Sequence, residues 1–279
     1  YPVALPAPAL LAAATGDDAV VRDAALATLL SAIARAPEHG LEDYVAAARL
    51  DRRQQILLVR TIREARDARA ASYLFDVAAS GDARLVEEAL QAMQRTRAEL
   101  SARRHLWAGS EEPSVWPARV RVIGAARAAL ADPGVPPAVA AFAAHVAGAL
   151  ADSGAVPALR TRLRAGISPD LPAREDAATT AAAAVALAAL APEGLACDLV
   201  ALLERSEADL LEVVPTSVLR LAESEGPARA EARACLAAAI GRPGPAREPA
   251  IWVAAVLGDE ALATALRAAL AATPAEVRR

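Results

Sequence analysis

The chain has 279 residues, 55% of them hydrophobic but only 3% aromatic, and a formal net charge of −4. That length supports one large or two ordinary domains around a sizeable core. The acidic balance argues against a nucleic-acid binder driven by electrostatics alone.

Most of the apolar residues are Ala, followed by Leu and Val, and alternating β-branched runs are nearly absent. Helices are therefore predicted throughout. All 30 basic residues are arginine, and neither lysine nor asparagine occurs. With so much Ala, Arg, Gly and Pro, this looks like codon bias of a GC-rich bacterial genome, and it weakens any inference from arginine to phosphate. The chain begins at Tyr1 without a basic leading segment, so any targeting sequence is expected to be gone already. The most apolar stretch, Ala177 to Pro192, is short, alanine-rich and interrupted by Thr179 and Thr180, so no membrane span is expected.

Taken in chain order, the first predicted helix with a clear start lies in GDDAVVRDAALATLLSAIARAP at residues 16–37. Gly16 and Asp17 open it, Val21 follows, and Ala24, Ala25 and Leu29 make its apolar ridge. Next comes RLDRRQQILLVRTIREARDARA at 49–70, where Arg53, Arg60 and Arg63 are spaced to share one helix face. Gly81 and Asp82 begin a second copy of the opening pattern, with Val86, Ala89, Leu90 and Met93. The third copy begins at Asp132 and Gly134, with Val139, Phe142, Ala143 and Val146. It is followed by a partner helix over 153–166, in which Val156, Leu159 and Leu163 face inward while Arg160, Arg162 and Arg164 point mostly outward. Fainter copies start near Arg174 and Gly226. Asp17, Asp82 and Asp132 are placed to cap helix starts, and Pro136, Pro137 and Pro227 suit first turns.

The pattern Asp17-Asp18-x-x-Val21-Arg22-x-x-Ala25 resembles the start of a HEAT-like repeat of the bilin-lyase-type, armadillo-like class. Copies at 81 and 134 depart from it, carrying Glu87 and Ala140 where the arginine stands. The resemblance implies an all-α fold, a right-handed α-solenoid of degenerate helical hairpins over one array spanning 1–279. Soft joints are expected at 105–117, 166–176 and 241–249. Arrays of this class host binding, adaptor and occasional catalytic roles, so the resemblance speaks for fold more than for activity.

Candidate chemistry is sparse. His39, His105 and His145 are far apart, and none has metal-ligand spacing; His145 falls on an apolar helix face and is expected to be buried or half-buried. No nucleophile elbow, phosphate loop or paired Cys-x-x-Cys is present. The acidic pairs Asp17-Asp18, Glu87-Glu88 and Glu111-Glu112 are adjacent residues that diverge on a helix, as capping or solvated charges do. Cys197 and Cys235 are expected to be two small buried thiols, which favours the cytoplasm. No catalytic residue, metal or cofactor is assigned.

Charge is uneven: residues 49–127 hold 15 arginines against 10 acids, and residues 193–231 hold 3 against 9. The aromatic-basic cluster RRHLWAGSEEPSVWP brings Arg103, Arg104, Trp107 and Trp116 into one loop, where a large aromatic can anchor a partner. Trp252, inside AIWVAAVLG, is expected in the core or as a terminal cap. The function implied is a non-enzymatic scaffold that binds another protein, with Arg53, Arg60, Arg63, Arg103, Arg104, Trp107 and Trp116 as candidate partner-binding residues. The alternatives are a nucleic-acid-binding protein resembling HEAT-like alkylpurine DNA glycosylases, and a bilin lyase-like enzyme.

Overall fold

A computed structural model describes residues 7–33, 41–102, 116–167, 177–205 and 207–272. Among them fifteen α-helices and two single 3-10 turns occur, with no strand. The fold is all-α.

Two compact units divide the chain, residues 1–152 and 153–279. The first holds α1 (Ala7–Ala14), α2 (Ala19–Ile33), α3 (Leu41–Ala48), α4 (Arg52–Ala65), α5 (Ala71–Ala78), α6 (Ala83–Ala102), α7 (Trp116–Ala131) and α8 (Pro137–Ala149). Odd-numbered helices pack in sequence along one row, α1 on α3, α3 on α5 and α5 on α7. Even-numbered helices form a second row, α2 on α4, α4 on α6 and α6 on α8. Cross-packing of α1 on α2, α5 on α6 and α7 on α8 ties the rows together. Each helix therefore packs mainly on neighbours close in the chain, as in a helical solenoid. A longer reach is made by Arg121 of α7, which pairs with Glu42 and Asp43 of α3 at 2.8 and 3.1 Å.

The second unit repeats the scheme with α9 (Val156–Ile167), α10 (Ala177–Leu190), α11 (Ala196–Leu202), α12 (Ala208–Glu223), α13 (Pro227–Gly241), α14 (Arg247–Leu257) and α15 (Glu260–Ala272). Its odd row runs α9, α11, α13, α15, and its even row α10, α12, α14. The division between units falls between Asp152 and Ser153, and so between the two helices predicted over 135–166. Of the expected joints, 241–249 contains the short break between α13 and α14, whereas 105–117 and 166–176 fall largely outside the described residues.

Of the three predicted caps, Asp82 stands as expected and the other two depart. Asp18, not Asp17, caps α2 by accepting from the Val20 and Val21 N–H groups at 2.9 and 3.1 Å. Asp82 caps α6 in the same way, through Arg84 and Leu85. Asp132 instead accepts from Gly134 N, closing the turn ahead of α8. Arg22 folds back and donates to the Gly16 and Asp17 carbonyls at 3.0 and 2.8 Å, fixing the turn between α1 and α2. This is a local, structural use of the arginine in the opening pattern.

Ala25, Leu26, Leu29 and Leu30 are buried on α2, and Ala89, Met93, Phe142, Ala143 and Val146 are buried on α6 and α8. Phe75 meets Phe142 with ring centroids 5.3 Å apart. Three expectations need correcting. Ala24, expected on the apolar ridge of α2, is exposed, as are Val20 and Val21 in the first turn of that helix. Arg162 is buried rather than outward-facing, one residue before the core position Leu163. Glu88 is also buried, not solvated, because two arginines of α4 neutralise it.

Candidate functional site

Each unit has an open groove on its even row. In the first unit, Arg52, Arg53, Ile56, Leu57 and Arg60 of α4 and Arg84 of α6 line a cavity of about 550 Å³. The spacing on α4 explains it: Arg53, Ile56, Leu57 and Arg60 recur at intervals of three and four, so they form one continuous stripe. Asp51 starts that helix with a capping box, accepting from Gln54 N while the Gln54 side chain accepts from Asp51 N. The stripe is thus held on a well-terminated helix.

Two of these arginines are anchored by acids of the neighbouring helix. Arg52 pairs with Asp82 at 2.6 Å. Arg60 pairs with Glu88, and Arg63 reaches the other oxygen of Glu88 at 3.2 Å and Gln91 at 2.7 Å. Hydrogen bonding from Arg60 holds the Glu88 carboxyl below its ordinary value, with further help from the charges of Arg63 and Arg84. Arg53 and Arg84 have no ion-pair partner among the described residues, and both are exposed. The structure therefore brings Arg53 and Arg60 to one groove, with Arg63 joined to it through Glu88. Arg103, Arg104 and Trp107 lie outside the described residues, and Trp116 begins α7 with a side chain that also lies outside them.

In the second unit, a cavity of about 640 Å³ opens between α12 and α14, next to the end of α11. Leu203, Leu211, Pro215, Pro245, Pro249 and Trp252 supply its apolar surface, and Glu204, Glu212, Glu248 and Arg205 its charged groups. Trp252 is 50% exposed, which overturns its expected place in the core and leaves the terminal position. Its helix is the last of the even row among the described residues. Sequence reasoning missed this groove; the signal available was a tryptophan three residues after a proline, beside an acid-rich stretch.

The cysteines are also corrected. Cys197 of α11 and Cys235 of α13 form a disulfide rather than two thiols. Consecutive helices of the odd row pack side by side, so residues 38 apart in sequence meet. Cys197 is exposed and Cys235 buried. A carboxylate oxygen of Glu231 lies within 4.8 Å of both sulfurs, and this is the group of three potential metal ligands found among the described residues. The sulfur–sulfur bond already uses both thiols, so the set fits no metal in this oxidised form. His145 is half-buried on α8, and its Nε2 has no hydrogen-bond partner among the described residues. Burial, with the charge of Arg97 adding, pushes its pKa down to about 3.

No helix among the described residues is long and apolar enough to cross a membrane. No protein-family model matches the chain, and no curated protein matches it. Among solved structures, the designed armadillo repeat protein YIII(Dq)4CqI is similar at 15% identity, covering 93% of this chain and 99% of its own, with a TM-score of 0.41.

Proposed function

We propose that this protein is a non-enzymatic binding scaffold, and that the arginine-lined groove of α4 and α6 takes an acidic segment of a partner protein. The observation that carries this reading is the clustering of Arg52, Arg53, Arg60 and Arg84 around an apolar floor of Ile56 and Leu57. An acidic, partly apolar segment would satisfy both parts of that surface, with Arg53 and Arg84 supplying charges not already paired. Arg63 belongs to the proposed surface through its link to Glu88. On sequence grounds alone, the loop with Arg103, Arg104, Trp107 and Trp116 is proposed as a further contact. The Cys197–Cys235 disulfide favours an oxidising compartment over the cytoplasm for such a scaffold.

The test uses a fluorescein-labelled peptide of four aspartate-leucine repeats and the intact protein at about 0.15 M salt. Binding that weakens about tenfold in the double variant Arg53→Ala/Arg84→Ala is the expected result, corresponding to about 1.4 kcal/mol. Absence of binding defeats the reading. A duplex DNA of twenty base pairs binding more tightly than the peptide would shift the assignment to nucleic acid.

A further inference from the structure

The groove of the second unit has the opposite chemistry. Its walls are rich in hydrogen-bond acceptors and poor in donors. Glu204, Glu212 and Glu248 are its acids. Arg205 is its one cation among the described residues, and it is already engaged: its Nε donates to both Glu207 oxygens at 3.0 Å, and Nη1 donates to the Gly166 carbonyl. The Thr216 hydroxyl is also committed, donating to the Val213 carbonyl at 2.8 Å. Pro215 lies inside α12 and has no N–H to give the carbonyl of Leu211, so that acceptor lacks its usual helical donor at the groove wall.

Between these acceptors lies exposed apolar surface. Leu211 and Trp252 are each 50% exposed, and Val256, one turn beyond Trp252, is 51% exposed. Large apolar side chains left uncovered together on adjacent helices, rimmed by three acids and one arginine that is already paired, have the character of an interaction surface. The cavity volume falls within the range of roughly 300–1,000 Å³ usual for binding pockets.

We propose that the α12–α14 groove docks a cationic, apolar peptide segment of another protein. Apolar side chains of the segment pack on Leu211, Pro215 and Trp252. Its arginines or lysines meet Glu204, Glu212 and Glu248, and a guanidinium can also lie over the face of the Trp252 indole. Charge complementarity selects this occupant: a ligand that brought carboxylates would face three acids and an arginine already neutralised. The site is independent of the arginine groove in the first unit, so one can fail without the other.

The experiment titrates the intact protein with a fluorescein-labelled peptide of four arginine-leucine repeats, read by anisotropy at about 0.15 M salt. Two peptides serve as comparisons, four arginine-serine repeats and four glutamate-leucine repeats. The expected result is micromolar binding of the arginine-leucine peptide, and at least tenfold weaker binding of both others. Trp252→Ala, and separately Glu204→Gln/Glu212→Gln/Glu248→Gln, should each weaken binding at least tenfold while circular dichroism and melting stay near those of the parent. An equal charge change elsewhere, Glu87→Gln/Glu223→Gln/Glu225→Gln, should leave binding within twofold, as should Arg53→Ala/Arg84→Ala. Equal losses in the groove triple and the remote triple would mean non-specific attraction to an acidic protein, and would overturn the proposal. So would unchanged binding in Trp252→Ala, or self-association in sedimentation that this same variant abolishes, which would make a second copy the occupant.

Discussion

Gly166 on α9 and Thr180 on α10 approach so closely that a β-carbon on the glycine would stand 2.3 Å from the threonine hydroxyl oxygen and 3.0 Å from its Cβ. The two helices pack on each other through this point at the start of the second unit. Gly166 is not required here for its backbone angles; it is required because nothing larger than hydrogen fits. Its carbonyl also receives the Arg205 guanidinium, so the contact connects the α9–α10 joint to the base of the Trp252 groove.

The first prediction follows from that contact. Gly166→Ala should destabilise the second unit by about 1–3 kcal/mol through overpacking, despite the better helix propensity of alanine. Thr180 is a β-branched helical residue and cannot swing clear easily. Adding Thr180→Ala removes its hydroxyl and methyl and should restore part of the loss. Urea melts of the single and double variants read the coupling. Additive effects would mean that the two side chains do not meet.

Glu88 gives the second prediction. It is buried and neutralised by Arg60 and Arg63, and its pKa is held below the ordinary value. A carboxylate with a depressed native pKa stabilises the fold fully above its unfolded value, near 4.5, and loses that contribution as pH falls through the native one. Glu88→Gln should therefore lower stability at neutral pH and flatten the acid limb of the stability profile. The same change releases two arginines towards the first groove. It should tighten binding of the aspartate-leucine peptide, and unaltered affinity would mean that Arg60 and Arg63 take no part in that surface.

Local signals were readable where one helix decides the outcome. Leu29, Met93 and Phe142 follow the 3.6-residue period, and Asp82 announces its helix by the capping rule. What escaped depends on helices two apart in the chain lying side by side in a row. Glu88 meets arginines 25 and 28 residues away on α4. Cys197 finds Cys235 because α11 and α13 are alternate helices, a fact no local spacing contains. Trp252 reads as core from its apolar neighbours Ile251, Val253 and Ala254, yet Val253 and Ala254 fill the inward positions and turn the indole outward.

The third prediction concerns acid. His145 on α8 has a native pKa of about 3, against an ordinary value of 6.5, because burial disfavours its charged form and the charge of Arg97 adds to the effect. The unfolded chain therefore binds a proton that the native state refuses. Stability from this group is intact above about pH 6.5 and declines as pH falls from there towards 3, by at most about 1.4 kcal/mol per pH unit. His145→Leu should remove that component and, since Nε2 has no partner, cost little at pH 7. Parallel urea melts between pH 4 and 7 check this; identical slopes in parent and variant would refute it.

The last prediction separates the two units by their sulfur chemistry. The Cys197–Cys235 bond closes a loop with a sequence separation of 38 wholly inside the second unit. Restricting the unfolded chain over such a loop contributes about 2–4 kcal/mol in the loop-entropy treatment. No described cysteine lies in the first unit. A strong reductant should therefore lower the melting temperature of the second unit and leave the first where it was, so that one calorimetric transition broadens or splits into two. Cys197→Ser/Cys235→Ser should melt like the reduced parent and ignore the reductant altogether. Cys197 is exposed, so a small thiol can attack its sulfur and release Cys235 as the leaving thiolate; a second thiol then completes the two-electron reduction. If the double serine variant keeps the parent's melting temperature, the bond constrains nothing that helix packing had not already fixed.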